Sequence, residues 1–316
     1  MCIVRSRAIL LAVLAGACTS RRAEPAAKLP TVAWEIQPPE GFRRSGRFEG
    51  SRLRESSGAA LSRAQPGVLW TINDSGDGPF LYATDTLGRD LGRYELIGAE
   101  NRDWEEVALG PCPRGTCLYV ADTGDNPESR PFARMYRVSE PPAGDSLAGH
   151  TRPLEGGEAL RFTYPDGPHD VEAMFVAREG TVHLISKGRS GWVQHYQLPP
   201  AAWGSTARPI AELLETLPVA TDLWRGRLVT GAAVAPDGQR VVIRTYHEIY
   251  RFVLAPDGRL SAASPPVACD IAGMDPRGES IDWLGDGEGL VLTSEGGFEA
   301  EGQITLLACV GKGPAK

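Results

Sequence analysis

The sequence is poor in the residues and motifs that mark the best-known enzyme classes. Its 316 residues include six cysteines and five histidines, and aromatic residues make up only 7% of the chain. Neither a Cys-x-x-Cys pair nor a histidine cluster is present, which argues against a thioredoxin-like or zinc-binding role. The chain also lacks a G-x-S-x-G elbow, a P-loop, a G-x-G-x-x-G turn after a strand and an H-E-x-x-H helix. The enzyme classes that depend on these motifs are therefore excluded.

Long helical periodicity and a basic surface are also missing. Short Val, Ile, Leu and Tyr runs bounded by Gly, Pro, Asp and Asn recur instead, which predicts an all-β domain. The formal net charge is −7, and no basic patch is visible in the sequence. Because phosphate contacts require a basic face, we expect no nucleic-acid partner. Metal cations or cationic partners suit this composition better.

The apolar run at the N-terminus is too short to cross a membrane. Arg5 and Arg7 precede the run Ala8–Ala15, which is typical of a secretory signal. Ala15-Gly16-Ala17-Cys18 is similar to the bacterial lipobox, although leucine is commoner at the position of Ala15. The pattern predicts a signal peptide over residues 1–17 and diacylation of Cys18. Plain secretion with cleavage nearby is the alternative.

This N-terminus sets the expected domain organisation and location. Residues 18–30 are polar and rich in Pro and Ala, and they predict a lipid-anchored tether. Residues 31–310 would form a single folded domain and residues 311–316 a disordered tail. We expect a monomer in the cell envelope, periplasmic or at the outer surface, that contacts the membrane only through its N-terminal lipid.

Four cysteines remain in the expected folded domain. An even number in an oxidising compartment predicts two disulfides. Cys112 and Cys117 are placed to staple a hairpin turn, and Cys269 with Cys309 would then tie the last two sheet segments together.

The stretch from Asn101 to Asn126, NRDWEEVALGPCPRGTCLYVADTGDN, has the pattern of a β-hairpin. The runs Val107–Leu109 and Leu118–Ala121 flank its turn. The start of the first strand and the end of the second lie at the same end of an antiparallel hairpin. Four acidic residues therefore crowd together there: Asp103, Glu105, Asp122 and Asp125. Crowded carboxylates raise one another's pKa unless a cation neutralises them.

Related hairpins occur about five times along the chain, each followed by one or two further strands. Units of about four strands with regular turn signals predict a single β-propeller, because each blade is covered only by its neighbours. Five repeats are visible, and six blades are possible if one has diverged within Ala201–Arg227 or Gly41–Arg54. The last unit is short of an outer strand. Val32–Gln37 is a candidate to supply it, so that strands from both termini close the ring.

Propeller topology places the loops that enter the inner strands, and the loops that follow the second strands, on one face of the disc, here called the near face. We expect this face to be rich in acids and to bind calcium, which prefers oxygen ligands. The candidate metal ligands are Asp74, Asp103, Asp122, Asp125, Asp170 and Glu279. The candidate catalytic residues are Glu105, Glu172 and Lys187, and the candidate substrate-binding residues are Asn73, Arg189, His247 and Glu295.

Each of these assignments has a structural alternative. The Asn73 and Asp122 loops read equally as tight turns with Asx hydrogen bonds. Acids of the inner strands can cap backbone amides around the channel, and Lys187 and Arg189 can form ordinary salt bridges. His169 and His247 are candidate acid–base groups or simply surface residues. Trp70, Trp104, Trp192 and Trp283 are expected to fill the spaces between blades.

The runs LWTINDSGDGPFLYATDTLG, NRDWEEVALG, LYVADTGDN and HDVEAMFV and the terminal SEGG resemble a family of bacterial secreted or lipid-anchored propeller proteins. That family is similar to the esterase-like domains related to β-propeller phytases and to calcium-dependent lactonase propellers. The resemblance covers Glu55 to Cys309 and implies a metal near the central channel, held by acids of the inner strands. The phytase-type set of phosphate-binding Lys and Arg residues is missing.

Two functions follow as hypotheses. The first is a calcium-dependent hydrolase of a phosphate ester, a lactone or another small-molecule ester. The second is a non-catalytic binding or scaffold module for an envelope ligand, with structural calcium. Fold resemblance alone does not decide between them.

Overall fold

The computed structural model of the chain describes residues 41–49, 52–113, 115–222, 226–275, 277–296 and 302–309. The predictions for the signal peptide, Cys18, the tether, Val32–Gln37 and the C-terminal tail lie outside these residues. Within them the chain is almost entirely β-sheet, with short 3₁₀ helices at Asp145–Leu147 and Pro200–Gly204. Neither of these helices is long and apolar enough to span a bilayer.

The strands form five sheets, which are numbered here as blades in chain order. Blade 1 consists of β2 (Ser56–Leu61), β3 (Val68–Asn73), β4 (Phe80–Asp85), β5 (Asp90–Leu96) and the parallel edge strand β9 (Thr151–Leu154). Blade 2 consists of β6 (Trp104–Pro111), β7 (Thr116–Asp122), β8 (Ala133–Ser139) and β10 (Glu158–Phe162). Blade 3 consists of β11 (Val171–Val176), β12 (Val182–Ser186), β13 (Val193–Leu198) and β14 (Glu212–Leu217). Blade 4 consists of β15 (Val229–Val234), β16 (Arg240–Thr245), β17 (Glu248–Leu254) and β18 (Leu260–Asp270). Blade 5 consists of β19 (Gly278–Trp283), β20 (Leu290–Ser294), β21 (Gln303–Leu307) and the N-terminal strand β1 (Arg43–Arg47).

The blades close into a ring, which confirms the predicted all-β propeller. The inner strands β2, β6, β11, β15 and β19 contact one another in order, and β19 returns to β2. The structure therefore has five blades. The two segments considered for a sixth blade instead hold the outer strand of blade 3 and the closing strand β1.

The ring is closed by β1, which pairs with β21 of blade 5. The sequence analysis gave Val32–Gln37, which lies outside the described residues, as a candidate for this strand, whereas Arg43–Arg47 occupies the outer position. The segment reads RRSGR and is mostly exposed, so it carries no apolar alternation that would mark it as a strand. Gly46 is required here, because an added Cβ would lie 1.9 Å from the Leu87 carbonyl oxygen of blade 1.

Five apolar clusters hold the ring together, one at each junction between neighbouring blades. Trp70, Trp104 and Trp283 are buried in these clusters as expected. Trp192 is 65% exposed, so its predicted position between blades is wrong. It lies in the short connection between β12 and β13, immediately before β13 begins at Val193.

Both predicted disulfides are present. Cys112–Cys117 closes the β6–β7 turn with a Cα–Cα distance of 5.5 Å. Cys269–Cys309 links the outer strand of blade 4 to the end of blade 5, with a Cα–Cα distance of 5.9 Å. Because its sequence separation is 40 residues, loop-closure entropy assigns this link about 4 kcal/mol, the larger contribution of the two.

Candidate functional site: a carboxylate-lined cavity at the channel mouth

A β-bulge near the start of every inner strand turns one side chain towards the propeller axis. The pairing of inner and second strands skips one position each in blades 2 to 5, and these positions are Glu105, Glu172, Thr230 and Glu279. Blade 1 shifts register between Ser56 and Ala59. A bulge leaves an unpaired residue and re-aims its side chain. Repetition of the same irregularity around the ring therefore brings three glutamates to one end of the channel.

These glutamates face a cavity of about 200 Å³ at the near face. All five blades contribute to its wall. The lining residues are Ser57, Asp74, Glu105, Asn126, Glu172, Lys187, Tyr246, Arg277, Glu279 and Glu295. The wall is thus dominated by carboxylates, with Lys187 and Arg277 as its basic members.

Two groups of three carboxylates meet at Glu105. Asp74, Asp103 and Glu105 each place an oxygen within 4.8 Å of the others. Glu105, Asp170 and Glu172 do the same. An arrangement of oxygen ligands without nitrogen or sulfur suits a hard cation. The acidic cluster is therefore compatible with a metal ion.

The two groups differ in how far their charge is already neutralised. Lys187 Nζ donates a hydrogen bond to Glu172 Oε1, and both side chains are buried. Arg189 Nε donates to Asp170 Oδ2 at 2.7 Å. Among the described residues, no ion pair involves Asp74, Asp103 or Glu105. Within the described part of the chain, the Asp74–Asp103–Glu105 group therefore has no ion pair, and the charges of Arg130 and Lys187 act on Asp103 and Glu105 only from further away.

Burial raises the pKa values of these acids. It raises the pKa of Asp103 to about 6, and the charge of Asp74 adds to the effect. Burial, followed by repulsion from Glu172 and Asp74, holds the pKa of Glu105 well above its usual range. Burial and the charge of Glu172 act in the same way on the pKa of Glu279. Full ionisation of the cluster near neutral pH thus requires additional positive charge.

Lys187 is the positive charge that the fold supplies. Burial lowers the pKa of its ammonium, but Glu172, Glu105 and Asp170 outweigh burial, so its pKa lies above the usual range. Burial raises the pKa of Glu172, and Lys187 offsets only part of that increase. One ammonium group therefore serves three carboxylates.

Asp122 and Asp125 lie beside the cluster but are engaged in holding a loop. Asp122 accepts hydrogen bonds from the Asp103 amide and Arg130 Nη2, each at 3.1 Å. Asp125 Oδ2 accepts from the amides of Ser129 and Arg130 at 2.7 and 2.6 Å. Both side chains order the chain between β7 and β8, as Asx-type turns do.

The loop that they hold passes directly behind the acidic cluster. An added Cβ at Gly124 would lie 2.0 Å from Glu105 Oε1 and 2.5 Å from Asp103 Oδ2. Only glycine permits this approach. A side chain at this position would therefore displace two of the three carboxylates in the Asp74–Asp103–Glu105 group.

Only some of the candidate substrate-binding residues lie at the cavity. Glu295 lines the cavity, and Arg189 reaches its edge, where it donates to Asp170 and Asn126. Asn73 instead ties a loop, since its Oδ1 accepts from the amides of Arg54 and Glu55, both at 3.1 Å. His247 is not among the lining residues described, whereas its neighbour Tyr246 is.

Sequence reasoning missed Tyr246, Arg277 and Ser57. Tyr246 donates a hydrogen bond from its hydroxyl to Glu279 Oε1 at 3.0 Å. Tyr246 and His247 are neighbours in the tight turn between β16 and β17. A shift of one residue there reverses the direction of a side chain, so the sequence did not show which of the two faces the cavity. Alignment of the repeats could have identified Ser57, because it lies at the bulge position where blades 2, 3 and 5 carry glutamate.

Two other acids of the inner strands accept hydrogen bonds from backbone amides, as the structural alternative predicts, but they are not the bulge residues. Asp282 Oδ2 accepts a hydrogen bond from the Leu61 amide at 2.6 Å, across the junction of blades 5 and 1. Glu106 is 1% exposed, and its Oε1 accepts from the Val107 amide at 3.0 Å. The capping role thus belongs to residues that follow the bulges, and the bulge residues themselves face the cavity.

No protein-family model and no curated protein matches this chain. Solved structures that resemble it include the periplasmic gluconolactonase PpgL of Pseudomonas aeruginosa, with 13% identity, 87% of this chain and 69% of that chain covered, and a TM-score of 0.41. A putative 6-phosphogluconolactonase from Bacteroides uniformis matches with 13% identity, coverage of 80% and 71%, and a TM-score of 0.39. The calcium-binding protein regucalcin from Agrobacterium tumefaciens matches with 12% identity, coverage of 84% and 94%, and a TM-score of 0.44. Resemblances this remote assign neither a family nor an activity to the chain.

Proposed function

We propose that this protein binds a calcium ion at Asp74, Asp103 and Glu105 and acts as a calcium-dependent hydrolase of a phosphate ester, lactone or other small ester. The observation that carries the proposal is a group of three carboxylates, none of them in a described ion pair, at a cavity of about 200 Å³. Their donors are all oxygen, which suits calcium better than zinc or copper. Asp170, Glu172 and Glu279 complete the acidic surroundings.

Calcium bound there would polarise the scissile carbonyl or phosphoryl oxygen of a substrate. Glu172 lines the same cavity beside Glu105 and has a raised pKa, so it is suited to accept a proton from an attacking water near neutral pH. Lys187 is buried beside Glu172 and carries a positive charge that can hold the anionic group of a substrate or product. Glu105 belongs to both carboxylate groups and so connects the calcium ligands to Glu172.

The second candidate is a non-catalytic binding module in which the same calcium is structural. It is favoured by the ion pairs Lys187–Glu172 and Arg189–Asp170, which close one half of the cluster. Carboxylates that are held in ion pairs are less available to a substrate, and the ion pairs make the site more rigid. The ligand would then be a component of the cell envelope.

Turnover separates these two candidates. A panel of phosphate esters, lactones and aryl esters would be assayed with and without calcium, using the unchanged protein, Glu172→Gln and the control Asp286→Asn. Asp286 is an exposed turn residue on the opposite face, so its variant should behave as the unchanged protein does. The hydrolase proposal expects calcium-dependent turnover that Glu172→Gln reduces about 100-fold or more.

Two other outcomes have defined meanings. If no substrate turns over but calcium raises the melting temperature, the binding module is the correct function. If elemental analysis finds no calcium and calcium leaves the melting temperature unchanged, both candidates are wrong.

Calcium affinity should increase with pH. Protons compete with calcium for carboxylates, and the pKa of Asp103 is about 6 while that of Glu105 lies well above its usual range. We expect the dissociation constant to fall at least about tenfold between about pH 5.5 and 8, measured by titration calorimetry. A pH-independent constant would contradict ligation by these acids.

Without calcium, the stability of the protein should follow the opposite trend. Acids with raised folded-state pKa values bind more protons in the folded than in the unfolded state, so the stability they contribute is full below about pH 4. It is lost as pH rises through about 6 and above. Urea unfolding in a chelator at about pH 5.5 and about pH 8, the values used for calcium binding, measures this loss of stability.

The expected lipid anchor at Cys18 and export to the cell envelope are part of the proposal. The two disulfides support an oxidising compartment. Mass spectrometry of the mature N-terminus would identify either a diacylated Cys18 or an unmodified cleavage product. The protein would act as a monomer, with residues 18–30 as tether.

A further inference from the structure

A second cavity lies on the flank of blade 1 and shares no lining residue with the acidic cavity. Strands β4 and β5, the start of β9 and the segment between β1 and β2 surround it. Its volume is about 210 Å³, below the range of about 300–1,000 Å³ common for drug-sized ligands. An occupant would therefore be a small molecule.

The wall of this cavity carries more positive than negative charge. Arg52, which is exposed, and Arg93, which is half-buried, both line it, and no described ion pair involves either of them. Asp90 is the acid among the described lining residues. Its Oδ1 and Oδ2 accept hydrogen bonds from the amides of Gly92 and Gly149 at 2.8 and 2.9 Å. Two guanidinium groups are thus set against one carboxylate that backbone amides already satisfy.

Arg93 is held in place by its neighbours. Its guanidinium carbon lies 4.4 Å from the centroid of the Phe80 ring and 5.7 Å from that of the Tyr82 ring. Its Nε donates a hydrogen bond to Thr151 Oγ1 at 2.8 Å, and its Nη2 donates to the same oxygen. These two bonds use two of the five guanidinium N–H groups. Because the side chain is already ordered, it loses little conformational entropy when it binds a ligand.

Another part of the wall is apolar. Phe48, Leu53 and the Tyr82 ring line the cavity, and all three side chains are buried. An inorganic anion would leave this apolar surface in contact with water, whereas an organic anion would cover it. A ligand that combines an anionic group with an apolar body therefore matches both parts of the wall.

We propose that this cavity binds a small organic carboxylate with a compact apolar body. The carboxylate would accept charge-assisted hydrogen bonds from Arg93 and Arg52. The Thr151 hydroxyl accepts from Arg93, so its own hydrogen can be donated to the same carboxylate. The apolar body would pack against Phe48 and Leu53. The inference does not depend on calcium or on the proposed hydrolysis, because none of the three calcium ligands lines this cavity.

Three fluorinated probes test the proposal by ¹⁹F NMR titration. They are 4-fluorobenzoate, its uncharged analogue 4-fluorobenzamide, and fluoroacetate, which has the charge without the apolar ring. The titrations contain a chelator, so that no calcium can hold a carboxylate at the acidic cluster. We expect 4-fluorobenzoate to bind at least about tenfold more tightly than either of the others. Absence of 4-fluorobenzoate binding, or equal binding of the amide or of fluoroacetate, would overturn the proposal.

Variants locate the site. Arg52→Gln and Arg93→Gln should each weaken 4-fluorobenzoate binding at least about fivefold. Because Arg52 is exposed, Arg52→Gln should leave the melting temperature unchanged, which separates loss of the ligand contact from loss of the fold. The matched control is Arg161→Gln, since Arg161 also lies over an aromatic ring, 5.2 Å from the Phe132 centroid, but in blade 2. It should bind the probe as the unchanged protein does. Binding that survives both blade 1 variants, or is lost in Arg161→Gln, would refute the assignment.

Discussion

Replacing Glu105 by glutamine should nearly abolish calcium binding and yet stabilise the calcium-free protein. Glu105 belongs to both carboxylate groups, so an amide at this position weakens each of them. We expect the calcium dissociation constant to rise about 100-fold or more. Calcium at 100 times its dissociation constant should stabilise the unchanged protein by about 2.7 kcal/mol, and this gain should be missing in the variant.

The stabilisation without calcium follows from the raised pKa of Glu105, which burial and the charges of Glu172 and Asp74 produce. Glutamine occupies the same space without a charge. Because burial disfavours the charged form of Glu105, its ionisation costs stability that glutamine does not lose, so we expect a higher free energy of unfolding for the variant at pH 8 in chelator. Urea unfolding with and without calcium measures both effects.

The matched control for Glu105→Gln is Asp286→Asn on the opposite face. It should bind calcium normally and unfold within about 0.5 kcal/mol of the unchanged protein. If Glu105→Gln binds calcium with unchanged affinity, the site has been assigned to the wrong carboxylates. If it is less stable in chelator, Glu105 holds the fold through bonds other than a metal.

Replacing Lys187 by methionine should destabilise the calcium-free protein and tighten calcium binding. The ammonium pairs with the buried Glu172 and also faces Glu105 and Asp170. Removing one member of a buried pair leaves an uncompensated charge, which costs about 3 kcal/mol or more. The loss should be smaller at pH 5 than at pH 8, because protonation of Glu172 relieves it.

Calcium affinity should rise in Lys187→Met because a competing positive charge has left the cluster. Turnover, if present, should fall sharply, since the proposed anion anchor is gone. Arg89→Met serves as the control: Arg89, in the turn between β4 and β5, is 56% exposed beside Asp85, and exposed pairs contribute about 1 kcal/mol or less. If the two variants lost equal free energy of unfolding, the position of Lys187 within the acidic cluster would add nothing to its contribution to stability.

The convergence of Asp103, Glu105, Asp170 and Glu172 is the part of the site that sequence predicted best. Each Asp-x-Glu pair precedes or begins an inner strand, and a closed ring brings equivalent strand ends together whatever their separation along the chain. The repeat period and the turn signals therefore carried most of the information. The disulfides followed from parity and spacing in the same way.

The partners of these acids could not be predicted in this way. Arg130 donates hydrogen bonds to Asp122 and to the Gly124 carbonyl from the middle of an irregular loop. The residues before it, Pro127-Glu128-Ser129, do not indicate these contacts. Tyr246 lies in the cavity wall beside His247 because of one turn. The polar strand Arg43–Arg47 closes the ring through register with β21, which strand propensity does not reveal.

The amino-acid sequence by itself determined a propeller with an acid-rich face, because both depend on local periodicity and on symmetry between repeats. Only the tertiary structure decided which carboxylates lack an ion pair, which are satisfied by Arg130, Lys187 and Arg189, and where a second cavity opens beside Arg93. These outcomes depend on distances between side chains of different blades. Such distances are set by bulges, loop paths and packing that have no periodic signature in the sequence.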